Sequence, residues 1–448
     1  MRRLFLASIL SILLYFYNGL FGMFFTSIVF FNIFTSKNIK TIRNKFIYCL
    51  IFSIPVSYIG ILGMDMHHAF SWYMIVLVLF TIYLFHIFIK ERKRIQLTGL
   101  LSIIIMFFLL IVSNLNSNNF LVAITEITQM FTVILPIYLY INISKKQDVR
   151  ADDCIKLLSH VISATSICVI FQYFMYKLSG ISLGYITVFN NRITFDLLFK
   201  GYSVLSVFIG IGIVINIVAM IKKFNIMVLF KIIVHVIAII VNSSRTGLYS
   251  AVVVTFLIIV SYIINSKKIK ISIILTVPLV FVLGILFLMK YSRYNISSFM
   301  YDNGRIENLF DGINVLVSSA KNFLLGAGFS KADYGEVMST HNFIIGTLMN
   351  AGVIVSLIIF GFVLYILKKY KHSNCIYICW HILLSSMFIT SFFANTFIVP
   401  CVLVLIASNT VSIHNNANEH SQTINSYMYK TAYVTNTNIF KAHHYEQK

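Results

Sequence analysis

Three short signatures in this 448-residue chain combine residue types that bind anions and move protons. The first is NSSRTG at 242–247, which places Arg245 between two apolar runs. A cation there needs a partner, because a charge at the bilayer centre costs about 2.5–3.5 kcal/mol on insertion scales. The second is DNGR at 302–305, where Asn303-Gly304 is a turn signal and Arg305 supplies another guanidinium; Gly326-Ala327-Gly328 follows. The third is His341-Asn342, where the chain becomes apolar again. An imidazole titrates at about 6.5 and so suits proton transfer from a hydroxyl. Plainer roles exist for each: Arg245 as a snorkelling anchor, Arg305 as a solvated charge, His341 as a helix start. Glu126 is the one acidic residue inside an apolar run, and it either pairs with an arginine or lines the same polar cavity. Guanidinium groups stay charged and bind phosphate bidentately. Two of them with a histidine suit a lipid-linked diphosphate and a hydroxyl acceptor.

The elements that must hold these residues are membrane helices. The chain is 59% hydrophobic and only 11% charged, whereas a soluble domain carries about 25% charged residues. Apolar runs, most of them roughly 17–25 residues long and so enough to cross a hydrocarbon core of about 30 Å, recur along most of its length. After the first run they cover 46–64, 70–89, 97–113, 120–143, 154–178, 202–221, 226–241, 248–264, 271–289, 343–367, 375–394 and 397–409. Only helices satisfy their own backbone at such spacing, so an all-α polytopic integral membrane protein of about 12–14 transmembrane helices is expected. Run 4–34 would be about 46 Å long as one helix. Basic residues flank both its ends, so a hairpin turning near Asn18-Gly19 is favoured over one helix.

The formal net charge of +21 does not indicate nucleic acid, because the basic residues sit in short clusters between apolar runs, as orientation signals do. Clusters at 90–94, 145–150, 222–223, 267–270 and 368–371 fall at every second loop, and with both termini and 37–45 they hold most of the 35 Lys and Arg. That side is expected to be cytoplasmic. Of the opposite segments two are large, 179–201 and 290–342. The second carries Asp302, Glu307, Asp311, Asp333 and Glu336, out of only 14 acidic residues. Within it, 307–320 spaces its apolar residues three and four apart, like an amphipathic helix on the membrane surface. The six cysteines lie in or beside apolar runs and form neither a disulfide framework nor a metal-ligand pattern. The organisation read from the sequence is a transmembrane domain, 1–410, and a polar, poorly ordered cytoplasmic tail, 411–448. No cleavable leader is expected, because the first run leads straight into further spans.

The order SRTG (Ser244–Gly247), GR (Gly304-Arg305), GAG (326–328) and His341-Asn342, followed by Ala351-Gly352, resembles the O-antigen polymerase and ligase superfamily of bacterial envelope glycosyltransferases. The similarity covers about 241–367; the rest agrees only in hydropathy and helix number. The resemblance implies a metal-independent inverting transferase of the inner membrane, without a cofactor, whose active site faces the periplasm. Donor and acceptor would be undecaprenyl-diphosphate-linked glycans, with membrane lipid around them and a chain-length regulator and a flippase as partners. Arg245 and Arg305 would hold the diphosphate leaving group and His341 would position or deprotonate the acceptor hydroxyl, with Asn342 and Gly328 beside them. Arg192, in the other large outer segment, resembles a further basic position of polymerases. The compact segment between Arg305 and His341, and the abundance of Ile, Phe, Tyr and Asn, favour a polymerase over a ligase that moves polymer to lipid A-core. A flippase or transporter fits less well, since no paired half-repeat is visible.

Overall fold

In lipid each backbone N–H and C=O must pair within the chain, and the apolar runs accordingly fold as helices. A computed structural model describes residues 1–60, 71–90, 97–115, 120–143, 151–189, 192–199, 201–264, 305–329, 342–388, 393 and 395–408. The helices are α1 (Arg2–Tyr17), α2 (Gly19–Thr35), α3 (Ile42–Ser53), α4 (Trp72–Lys90), α5 (Leu97–Asn114), α6 (Phe120–Ile143) and α7 (Ala151–Ser179). After a hairpin of β1 (Tyr185–Phe189) and β2 (Arg192–Leu197) come α8 (Tyr202–Lys222), α9 (Ile226–Asn242) and α10 (Arg245–Ile264). Then follow α11 (Arg305–Val317), α12 (Ala320–Leu325), α13 (Phe343–Lys369), α14 (Ile376–Ser386) and α15 (Ile398–Ser408). Among the described residues, 6 helices are long and apolar enough to cross a membrane: α4, α6, α7, α8, α10 and α13. Shorter apolar helices such as α2, α9 and α15 complete the bundle.

Several elements depart from the simple hydropathy reading. The first run divides at Asn18, whose backbone is extended and whose side-chain oxygen caps α2 by accepting from Leu20 N at 2.8 Å. The run expected at 46–64 is a helix only to Ser53, where a short 3-10 turn containing Pro55 replaces it. Within segment 179–201, read as loop, β1 and β2 instead pair as an antiparallel β-hairpin, so the described residues are mostly but not entirely helical. The span at 271–289, the loop 65–69 and the tail 411–448 lie outside the described residues.

Packing centres on α8, which touches α7, α9, α10 and α14. Every residue from Leu205 to Ile217 is buried, the pattern of a helix enclosed on all sides. Two glycines permit this: a Cβ at Gly210 would strike the His381 ring of α14, and one at Gly212 would strike Ile162 and His235. Small residues are how membrane helices approach closely. A second, smaller core joins α5, α6 and α13 through Met106, Leu110, Met130, Ala351 and Val355, and Phe362 and Phe393 pack against both cores.

Between α7, α8 and α9 runs a buried hydrogen-bonded chain. Lys231 Nζ donates to Ser159 Oγ at 3.5 Å, and Ser159 Oγ donates to Asn216 Oδ1 at 3.3 Å. Asn216 Nδ2 donates to Gly212 O at 2.7 Å and to His235 Nε2 at 3.2 Å. His235 Nε2 is therefore the acceptor and Nδ1 carries the hydrogen, which goes to Ser166 Oγ at 2.8 Å. Ser166 closes the series on Ile162 O at 2.9 Å. Both imidazole nitrogens are satisfied by a neutral ring, and the amide of Asn216 interrupts any proton path. The chain locks three helices together. His235→Ala, which leaves a void and one Asn216 amide hydrogen without its acceptor, is expected to destabilise the protein by about 3 kcal/mol. Thermal unfolding in detergent measures this, and a melting temperature equal to wild type would refute the lock.

Candidate functional site

The SRTG signature sits differently from a loop. α9 continues through Asn242 and α10 starts at Arg245, so only Ser243 and Ser244 lie between them. Ser243 turns the chain with a left-handed φ of 60°, closing α9, and Asn242 Nδ2 donates to Tyr202 O of α8 at 2.9 Å. The first N–H groups of a helix lack internal partners, and here α8 supplies one. Ser206 Oγ donates to Ser203 O at 2.7 Å and accepts from Gly247 N at 3.2 Å. Its one hydrogen being used, Ser206 also accepts from Ser244 Oγ at 2.7 Å. A single hydroxyl thus pins the residues on both sides of Arg245. Gly247 is required at this position, because a Cβ would collide with the backbone carbonyl of Ser206. Arg245 itself is half-buried in the first turn of α10.

One helical turn deeper, Ser385 Oγ of α14 donates to Ser250 Oγ at 2.6 Å, and Ser250 donates to Thr246 O at 2.8 Å. His381 Nε2–H donates to Val207 O at 3.1 Å. Nearer the other end of α10, Tyr377 Oη donates to Ser261 Oγ at 2.9 Å. These contacts make α14 antiparallel to α10, and a short turn joins α13 to α14. The N-terminal ends of α10 and α13 consequently lie at the same end of the bundle.

The GAG and Ala351-Gly352 signatures meet directly. α13 is broken at Gly352, whose φ of 71° and ψ of 174° are not helical. The break strands the carbonyls of Met349 and Asn350, and the GAG segment takes them: Ala327 N donates to Met349 O at 2.7 Å and Gly328 N to Asn350 O at 3.2 Å. Gly326, Gly328 and Gly352 all have positive φ, and a Cβ on Gly326 or Gly352 would strike the opposing backbone. The far side of this clasp is α5, where Asn114 Oδ1 accepts from Phe329 N at 2.9 Å while its Nδ2 donates to Leu110 O. Gly328 is thus part of a backbone clasp in this geometry.

The clasp carries the amphipathic element. Arg305 is the first residue of α11, which packs on α13 together with α12. α11 buries Asn308 and Leu316 and leaves Phe310 and Val317 exposed. His341 lies outside the described residues, one position before Asn342, which caps α13. Asn342 Oδ1 accepts from Ile344 N at 3.0 Å and from Ile345 N at 3.2 Å, so capping accounts for an asparagine there. Glu126 is half-buried on α6, beside the Ile127 and Met130 of the second core.

Arg192 opens β2 opposite Phe189. Its hairpin is tied to α7 by buried Gln172, which donates to Leu183 O and Tyr185 O and accepts from Leu197 N at 3.2 Å. Asp196, buried on β2, accepts from Thr187 Oγ1 at 2.8 Å. Ser206, Asn114, Gln172 and Asp196 are all positioning residues that the sequence reading missed. A single serine in an apolar run or an asparagine at its end carries no motif.

No protein-family model matches the chain, and no curated protein matches it. The resemblance drawn from the motifs therefore rests on the motifs and their order alone.

The clasp is directly testable. Gly352→Ala is expected to lower stability by about 2 kcal/mol or more, since a positive φ costs a side-chain-bearing residue about 1–3 kcal/mol before any collision. Asn342→Ala should cost about 1 kcal/mol and Asn342→Asp much less, as for an N-cap. Chemical or thermal denaturation in micelles reads both, and equal losses for the two Asn342 variants would remove capping as its role.

Proposed function

We propose that this protein is an O-antigen polymerase of the bacterial inner membrane. It would join undecaprenyl-diphosphate-linked repeat units into surface polysaccharide on the periplasmic side. The observation that supports this most is Arg245 in the first turn of α10, with Ser244 and Gly247 both held by Ser206. A guanidinium at the positive end of a helix dipole is a strong anion-binding arrangement, and rigidity lets it meet charge developing on a departing diphosphate. Arg305 would supply the second clamp. His341, preceding the cap of α13, would take the acceptor hydroxyl proton, with no metal ion in the step. The sugar oxygen would attack the anomeric carbon while the bond to the diphosphate oxygen breaks, and the released carrier diphosphate would keep the negative charge. Arg192 would contact the substrate's phosphate or glycan, and Glu126 would accept from hydroxyls of the glycan.

A broken helix is also a transporter feature. In this chain, however, the carbonyls freed at Gly352 are taken by Ala327 and Gly328 and are thereby withdrawn from any ion.

Deletion of the gene is expected to leave lipopolysaccharide bearing a single repeat unit, with no ladder on electrophoresis. Bare core with long polymer retained on the carrier would instead mark a ligase. Arg245→Ala, Arg305→Ala and His341→Ala should each abolish the ladder while the protein still inserts, and Arg305→Lys should fail as well, since an ammonium cannot make the bidentate contact. Normal ladders in all of these variants would overturn the proposal. For orientation, alkaline phosphatase fused after Lys321 should be active and after Lys371 inactive.

A further inference from the structure

A cavity of about 270 Å³ lies between α5, α6 and α13, remote from the signatures above. It approaches the volumes of about 300–1,000 Å³ typical of ligand sites. Its walls come from the N-terminal half of α5 and the C-terminal halves of α6 and α13, so it belongs to the end of the bundle opposite the GAG clasp. Its deep end is apolar, at Met106 and Leu357; its shallow end is polar, at Ser102, Asn142 and Tyr365. Its lining runs from Gly99 to Met106 on α5 and from Leu357 to Tyr365 on α13, about 10–12 Å at about 1.5 Å per residue, which is less than half of a hydrocarbon core of about 30 Å. The cavity is therefore short enough to fit within one leaflet. Two glycines line it, and at Gly361 a Cβ would meet nothing within 4 Å. Gly361 is exposed, so the cavity opens outward along this stretch of α13.

Charge is gathered at the shallow end. Lys369 Nζ donates to Tyr365 Oη at 3.0 Å and stands over the rings of Tyr365 and Tyr370, 5.2 and 5.7 Å from their centroids. Lys368 and Lys371 flank it in sequence. The other two walls also adjoin basic clusters: α5 follows Lys90, Arg92, Lys93 and Arg94, and α6 precedes Lys145, Lys146 and Arg150. In sequence, basic residues thus directly precede α5, directly follow α6 and end α13.

We infer that this cavity is a binding site for an anionic phospholipid of the leaflet on the basic side. One acyl chain would lie along α13 over Gly361 and the headgroup phosphate would sit at Lys369. Hydroxyls at Tyr365 and Ser102 match the ester region, and basic pockets between membrane helices on that side take such headgroups. The site is separate from the proposed catalytic end and does not depend on it.

Native mass spectrometry of the full-length protein in detergent, titrated with phosphatidylglycerol, phosphatidylcholine or a polyprenyl phosphate, tests this. Wild type is expected to retain phosphatidylglycerol about fivefold better than phosphatidylcholine, and Lys369→Ala should erase most of that preference. Gly361→Leu, which fills open space, should reduce retention of both phospholipids. Equal retention of the two by wild type would overturn the inference, as would unchanged retention in Gly361→Leu or displacement of phosphatidylglycerol by equimolar polyprenyl phosphate.

Discussion

A backbone carbonyl inside a membrane must find a hydrogen-bond donor, and much of this architecture follows from how α13 meets that demand. Breaking the helix at Gly352 leaves Met349 O and Asn350 O without their intrahelical donors. No water reaches such groups in a hydrocarbon core, so the polypeptide itself must return to them. It does so with Ala327 and Gly328, and that return fixes the whole segment from α11 to α12 against α13. Glycine is needed on both strands of the contact because the two backbones approach more closely than a side chain allows.

The same economy governs the SRTG turn. Ser206 has one hydrogen and two lone pairs, and all are used, on Ser203, Gly247 and Ser244. The His235 chain is satisfied in the same complete way between three other helix faces. In each case a polar group in an apolar surrounding contributes geometry more than net stability, because a buried polar group left unpaired costs about 1–3 kcal/mol. The result is an arginine-bearing helix start whose direction is set from below.

Much of the helical framework was legible from hydropathy, because a span about 20 residues long leaves no alternative to a helix. The division at Asn18 followed from charge at both ends of the first run. The amphipathic segment appeared where its spacing placed it, as α11. Other features were invisible for physical reasons. The β-hairpin is held by Gln172, whose partners are backbone atoms that leave no pattern in side chains. The bounds of α10 shifted because Gly247, which looks like a turn residue, is there for a close approach to α8. The meeting of GAG with Gly352 required a third dimension, since nothing in either triplet names the other. Of the candidate site, the residue types were readable and the supports were not: Ser206 and Asn114 act through single hydrogen bonds.

The bond from Phe329 N to Asn114 Oδ1 joins residues 215 positions apart. During synthesis at about 5–20 residues per second, α5 would wait on the order of 10–40 seconds for that partner to emerge. Through that interval Asn114 keeps its own Nδ2 on Leu110 O, so half of its polar demand is already met by its own helix. The clasp is therefore a late event in the life of the nascent chain. A ribosome that stops between residues 329 and 343 would leave the GAG segment made and Asn114 waiting, with no broken helix yet for the segment to seal.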